Sequence, residues 1–186
     1  SHDGVGLRPL EGLVPEEEVN RLLEAMRERG GYISTRKNSD GSDTPYELNI
    51  SYFDAFRSPR EECNSFHVPA FLLSQAITLS FKGIPAVYIH NLVATPNDTL
   101  GVERTGLTRA VNRRQWDRSE LESLLGDTGS DNGRVFAAYK HLLKLRKHQE
   151  AFHPDAEQQV LNLDNGLFGF RRTSLDGKQQ IICLFN

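Results

Sequence analysis

The 186 residues are 38% hydrophobic and 25% charged, a balance that suits one globular domain, or part of a larger one, with a sizeable core. The formal net charge of -3 excludes the basic excess that a nucleic-acid surface needs, and no apolar run approaches the ~20 residues that span a bilayer. Neither nucleic acid nor membrane is therefore an expected partner. Cys63 and Cys183 stand far apart, without metal or redox spacing, and read as free thiols in a reducing, cytoplasmic setting.

The chain opens with Ser1-His2-Asp3-Gly4-Val5-Gly6. An imidazole beside a carboxylate, followed by glycines that let backbone approach a ligand, suits a pocket that grips hydroxyls and stabilises positive charge. The glycine pair lacks the rest of a dinucleotide fingerprint, so a nucleotide site is not expected. Pro15 begins a helix whose first turn carries Glu16, Glu17 and Glu18, where carboxylates complement the helix dipole. Val19, Leu22, Leu23 and Met26 recur on one face of it, and Gly30-Gly31 ends it. From Tyr32 to Asn49 periodicity is lost, which predicts a long loop with a turn at Asp40-Gly41.

Residues 66 to 82 are apolar on nearly every side and read as a helix with little exposure, ended by Gly83. Ile84 to Ile89 then reads as a strand covered on both faces, as in a parallel sheet. His90 and Asn91 come next, at the carboxyl end of that strand, where ligands gather in parallel α/β folds. Asp117 or Ser119 caps a short helix to Leu125, and Val135, Phe136, Tyr139, Leu142 and Leu143 mark a longer one. After His153-Pro154 come short strands at 160 to 163, 167 to 171 and 179 to 185, with turns at Asp164-Asn165-Gly166 and Asp176-Gly177, an antiparallel meander. His67, His141, His148 and His153 lack metal-ligand spacing and read as surface or helix residues; no metal is expected. Asn49 and Asn97 each begin a glycosylation sequon that carries no weight without a secretory context. Trp116 is read as a packing residue, with a sugar platform as the alternative.

Four segments in order and spacing carry a family resemblance: Ser1-His2-Asp3-Gly4-Val5-Gly6-Leu7-Arg8-Pro9 with Glu11-Gly12-Leu13-Val14-Pro15, Pro45-Tyr46-Glu47-Leu48-Asn49, Gly83-Ile84-Pro85-Ala86-Val87-Tyr88, and Asn112-Arg113-Arg114. Together they resemble the sucrose phosphorylase-like group of the α-amylase superfamily. The resemblance implies an α/β fold, with residues 1–153 as the C-terminal part of a (β/α)8 barrel and 154–186 as the beginning of a β-sheet C-terminal domain. It implies transfer of glucose from a small α-glucoside to inorganic phosphate by double displacement, giving α-glucose 1-phosphate without a cofactor. The glucoside would be sucrose, sucrose 6-phosphate, glucosylglycerol or glucosylglycerate. Asp3 would be the carboxylate that stabilises the oxocarbenium-like transition state, and His2 would donate to the same glucosyl ring.

The same resemblance implies that Arg113, beside Asn112, orients the far hydroxyls of the ring, and that Tyr46 and Glu47 sit on a mobile acceptor loop. His90 is a further candidate lining residue. Glu47 is a departure, since the sucrose-specific enzymes of the group carry an amide there. A carboxylate would repel phosphate unless cations screened it. Arg8, Arg36 and Lys37 are candidates to supply positive charge to an anionic acceptor, although each reads more readily as a solvated surface charge. The sequence starts without Met, on the motif itself, and offers no segment for nucleophile or acid/base. It is therefore expected to be a fragment, inactive alone, that associates or loses solubility without the missing N-terminal part of the barrel. The alternatives are a hydrolase or transglucosidase of the same superfamily, or a non-catalytic carbohydrate-binding or assembly module.

Overall fold

The computed structural model describes residues 4–59 and 65–186. Its strands form two antiparallel sheets of three. In the first, β1 (Val5–Gly6) and β2 (Tyr32–Lys37) flank β3 (Asp43–Asn49). In the second, β4 (Glu157–Val160) and β6 (Gln180–Phe185) flank β5 (Phe168–Thr173). Among the described residues the α-helices are α1 (Glu16–Glu28), α2 (His67–Ser80), α3 (Ile89–Leu92), α4 (Thr99–Thr105), α5 (Arg118–Gly126) and α6 (Asp131–Lys147). No helix among the described residues is long and apolar enough to cross a membrane.

The first half gathers around α1. Pro15 precedes its first residue, the three glutamates fill its first turn, and Leu23 and Met26 bury its apolar face with Leu7, Leu48 and Ile50. The expected long loop is instead the β2–β3 hairpin, with its turn at the anticipated Asp40-Gly41. Alternation is hidden there for two physical reasons. The outer half of β2, Thr35 to Lys37, is solvated, so it needs no apolar face. The register also skips from Ser34–Glu47 to Thr35–Pro45, making Tyr46 an extra residue on β3 and breaking the period of two.

The second core lies between α2 and α6, where Val68, Phe71 and Leu79 meet Val135 and Tyr139. Phe53 reaches it from the turn after β3 and meets Phe71 edge to face at 5.2 Å. Burial of α2 on all sides does not hold: Leu73 is 37% exposed on its outer face. His67, in contrast, is buried in the first turn of α2 and bonded through Nε2 to Phe53 O at 2.8 Å. The helix at 118 starts on Asp117, one of the two caps expected, whose side chain accepts from Glu120 N; the longer helix is capped by Ser130, which accepts from Gly133 N.

The predicted strand at 84–89 requires correction. Residues 84–88 are in no ladder, Ile89 begins α3, and Ile84 is 84% exposed. The physical reason is a lack of neighbours: both sheets are antiparallel and neither includes this segment, so the apolar run has no strand to pair with among the described residues. The C-terminal meander forms as expected, although its first strand lies three residues earlier, at 157–160. Cys183 is buried in it as a free thiol, and Cys63 lies outside the described residues.

Arg172 and Arg146 join this meander to α2. Arg172 is fully buried and donates to Ser80 O at 2.8 Å and His153 O at 2.9 Å. Arg146, from the end of α6, donates to Leu79 O and, at 2.7 Å, to Gly83 O. Two guanidinium groups thus meet the carbonyls that the C-terminal end of α2 leaves without intrahelical donors, where a cation is also favoured by the helix dipole. Both sequon asparagines are structural: Asn49 is fully buried, and Asn97 donates to Arg29 O at 3.0 Å and accepts from Ser51 N at 2.8 Å.

Candidate functional site

His2 and Asp3 lie outside the described residues, so the site is built from Gly4 onward. Gly4 has φ +144°, and a Cβ there would stand 2.6 Å from Leu48 O and 2.9 Å from Glu47 Cγ. Only glycine lets the chain pass so close to β3. β1 then pairs Val5 with Leu48 and Gly6 with Glu47, and Leu7 N donates to Tyr46 O at 2.9 Å. The segment that leaves Asp3 is therefore laid directly on the strand that carries Tyr46 and Glu47. Tyr46 itself is the bulged residue, and bulges re-aim side chains beside functional sites.

Glu47 is buried and meets Arg109 in a two-point ion pair, Arg109 Nε to Oε1 at 3.0 Å and Nη2 to Oε2 at 2.8 Å. The carboxylate at position 47 is thus paired with a cation. The three cations considered for an anionic acceptor are, as the sequence suggested, solvated. Arg36 stands 3.9 Å from Glu11 and Lys37 3.7 Å from Asp43, in solvated pairs, and Arg8 is exposed. Sequence reasoning missed Arg109 because 62 residues separate it from its partner and no local pattern marks it. Its one sequence signal is a place four residues before Arg113, just ahead of the segment Asn112-Arg113-Arg114.

Arg109 lies in the 3-10 turn Thr108–Asn112, which Arg113 terminates. Asn112 is buried, and its carbonyl accepts from Tyr88 Oη at 3.0 Å; Arg113 is exposed. The Tyr88 ring stands edge-on to His90, 5.0 Å between centroids. Gly4 and Arg109 thus both meet Glu47, and the turn that carries Arg109 also carries Asn112, whose carbonyl holds Tyr88 beside His90. Tyr88 is the second residue that sequence reasoning left out of the site.

His90 Nδ1 lies 2.9 Å from Thr95 Oγ1, which also accepts from Trp116 Nε1 at 2.9 Å. Thr95 is held in turn by its neighbours, since Ser51 Oγ donates to its carbonyl at 2.6 Å and Asp54 accepts from Asn97 N at 2.7 Å. Arg114 covers one face of Trp116 at 3.8 Å, so that face is not a sugar platform. Burial lowers the His90 pKa from its ordinary value, because the charged imidazolium loses hydration. Below about pH 6.5 the unfolded chain takes up a proton that the folded chain does not, so folding stability from this group is complete above that pH and declines as pH falls towards the folded value. The thermal unfolding midpoint of the parent is expected to fall as pH is lowered below about 6.5, and His90→Asn to weaken that dependence. Equal slopes in thermal melts of parent and variant would remove His90 as its source.

A cavity of about 770 Å³ lies between Ile84, the end of α6 and Pro154, and includes none of these residues. A smaller one of about 370 Å³ is lined by Gly4, Val5, Gly6, Tyr52, Gln75 and Asn91, beside the start of the chain. Proximity to Gly4, not volume, makes the smaller cavity the relevant one. Among the described residues no group of three or more His, Cys, Asp or Glu stands close enough to hold a metal ion.

No protein-family model matches the chain. Among curated proteins, a glucosylglycerate phosphorylase of Escherichia coli is 37% identical over 177 residues, 95% of this chain and 32% of its own length. A glucosylglycerate phosphorylase of Allomeiothermus silvanus is 38% identical over 187 residues, 100% of this chain and 33% of its own length. A sucrose 6(F)-phosphate phosphorylase of Thermoanaerobacterium thermosaccharolyticum is 28% identical over 158 residues, 82% of this chain and 29% of its own length. The chain spans about a third of the length of the relatives it matches.

Proposed function

We propose, for a chain that belongs to the sucrose phosphorylase-like group of glucoside phosphorylases, that it forms part of a retaining enzyme moving glucose from a small α-glucoside to inorganic phosphate, with glucosylglycerate as the favoured donor. Similarity to glucosylglycerate phosphorylases over nearly the whole chain carries this reading. The Glu47–Arg109 pair supports it. Glycerate is a carboxylate and phosphate an anion, and an unpaired carboxylate at position 47 would oppose both. With its charge cancelled by a two-point guanidinium pair, Glu47 is compatible with either.

On this reading Asp3 stabilises the oxocarbenium-like transition state, His2 donates to the glucosyl ring, and Arg113 with Asn112 orients its far hydroxyls. Tyr46 and Glu47 face the acceptor side, and His90 borders it. Residues 1–153 would complete a (β/α)8 barrel with chain outside the matched third, which would also give the segment 84–89 its missing strand neighbours, and 154–186 would begin a β domain. The nucleophile and the acid/base would come from that other part, so the chain alone gives no turnover.

The test is α-glucose 1-phosphate formation by a protein of the relatives' length that carries this chain. The glucosides compared are glucosylglycerate, sucrose, sucrose 6-phosphate and glucosylglycerol. Phosphate-dependent product from glucosylglycerate, at a kcat/KM above the others, is the expected outcome. Free glucose formed equally with and without phosphate would replace this reading by hydrolysis.

A further inference from the structure

We propose that Arg109 is a positioning residue, which clamps Glu47 against Gly4 and so fixes the strand from which His2 and Asp3 issue. The inference rests on the function proposed for those two residues, but its geometry does not. Three elements meet at this one ion pair. β1 pairs with β3 at Gly6–Glu47 and Val5–Leu48, beginning one residue after Gly4. Gly4 approaches so closely that an added Cβ would lie 2.9 Å from Glu47 Cγ and 3.1 Å from its Cδ, so the Glu47 side chain forms the surface on which Gly4 rests. Arg109 holds both oxygens of that side chain, fixing its position and its plane.

β1 is only two residues long, too short to hold its own register by ladder bonds alone. A buried carboxylate gripped at two points compensates, because rotating Glu47 away would break two charge-assisted bonds at once. The same clamp ties the turn Thr108–Asn112, and hence Arg113, to the bulge at Tyr46. Groups on either side of a substrate are thereby referred to one rigid pair, whose planar fork a lysine cannot reproduce.

The test uses Arg109→Met and Arg109→Lys in the protein of the relatives' length, with two readouts. Hydrogen exchange is followed at the amides of Val5, Gly6 and Leu7. Both variants are expected to exchange faster there, Met more than Lys, while Phe71 and Val135 in the second core are unaffected. Unchanged exchange at residues 5–7 overturns the proposal, whether or not any activity is found. Turnover is measured with whichever α-glucoside the parent cleaves, to phosphate or to water. Arg109→Met is expected to lower kcat by about 10- to 100-fold, with KM for glucoside and phosphate within about 3-fold. A rise in KM with kcat unchanged would instead make Arg109 a direct ligand and overturn the positioning role. A parent that forms only free glucose would overturn the phosphorylase reading and leave the exchange result standing.

Discussion

Arg172→Met is expected to destabilise the junction of α2 with the C-terminal sheet by about 3–5 kcal/mol, from the cost of stranding buried partners of a charge. Arg172 is fully buried, yet the groups it donates to are backbone carbonyls and not a carboxylate. They belong to Ser80, His153, Glu157 and Ala156, at 2.8 to 3.4 Å. Burial, then the neighbouring Arg146, lowers its pKa, but a guanidinium remains charged at neutral pH. Methionine fills much of the volume and offers no donor, so the carbonyls are left buried and unpaired. A loss of this size is a large part of the roughly 5–15 kcal/mol that holds a domain folded. Urea unfolding, together with faster amide exchange at Phe170 and Cys183, measures it. A loss under about 1 kcal/mol would mean that water replaces the guanidinium. Arg172→Lys is expected to recover only part, since three donors on one nitrogen cannot reach carbonyls from different segments.

If the proposed function holds, the largest functional effect is expected at Asp3. In the protein of the relatives' length, Asp3→Asn is expected to lower kcat for glucosyl transfer by about 1,000-fold, with much less effect on KM for phosphate. The physical argument is differential. An amide of the same shape still bonds sugar hydroxyls, but it does not balance the positive charge that develops on the ring as the bond breaks. Ground-state binding survives and transition-state stabilisation does not. A loss below about 10-fold in single-turnover rate would take Asp3 out of this role.

Much of the helical half was legible because its signals are local. Asp117 caps, the glutamates after Pro15 complement a dipole, and Asp40-Gly41 turns a chain wherever it stands. What the sequence hid depends on distant partners. β2 and β3 read as a loop because a bulge at Tyr46 and a solvated strand end erase the period of two. The run Ile84-Pro85-Ala86-Val87-Tyr88 has the composition of a buried strand, but a strand exists only with a neighbour, which the described residues do not supply. At the site, motif order pointed to positions 46, 47, 112 and 113. The ion pair that decides what an acid at 47 can do joins residues 62 apart. Charge alone therefore suggested a conflict with anions that pairing removes.

Trp116 is the single tryptophan of the chain. Its indole N–H is tied to buried Thr95, and one ring face is stacked under Arg114, the neighbour of Arg113. The chain therefore carries its own optical reporter beside the candidate site. A ligand that draws on the arginines would change the charge above an emitting ring and shift its fluorescence without any change in overall fold. Unfolding would free the same ring to water and move the emission to longer wavelength, so one chromophore separates the two events by colour.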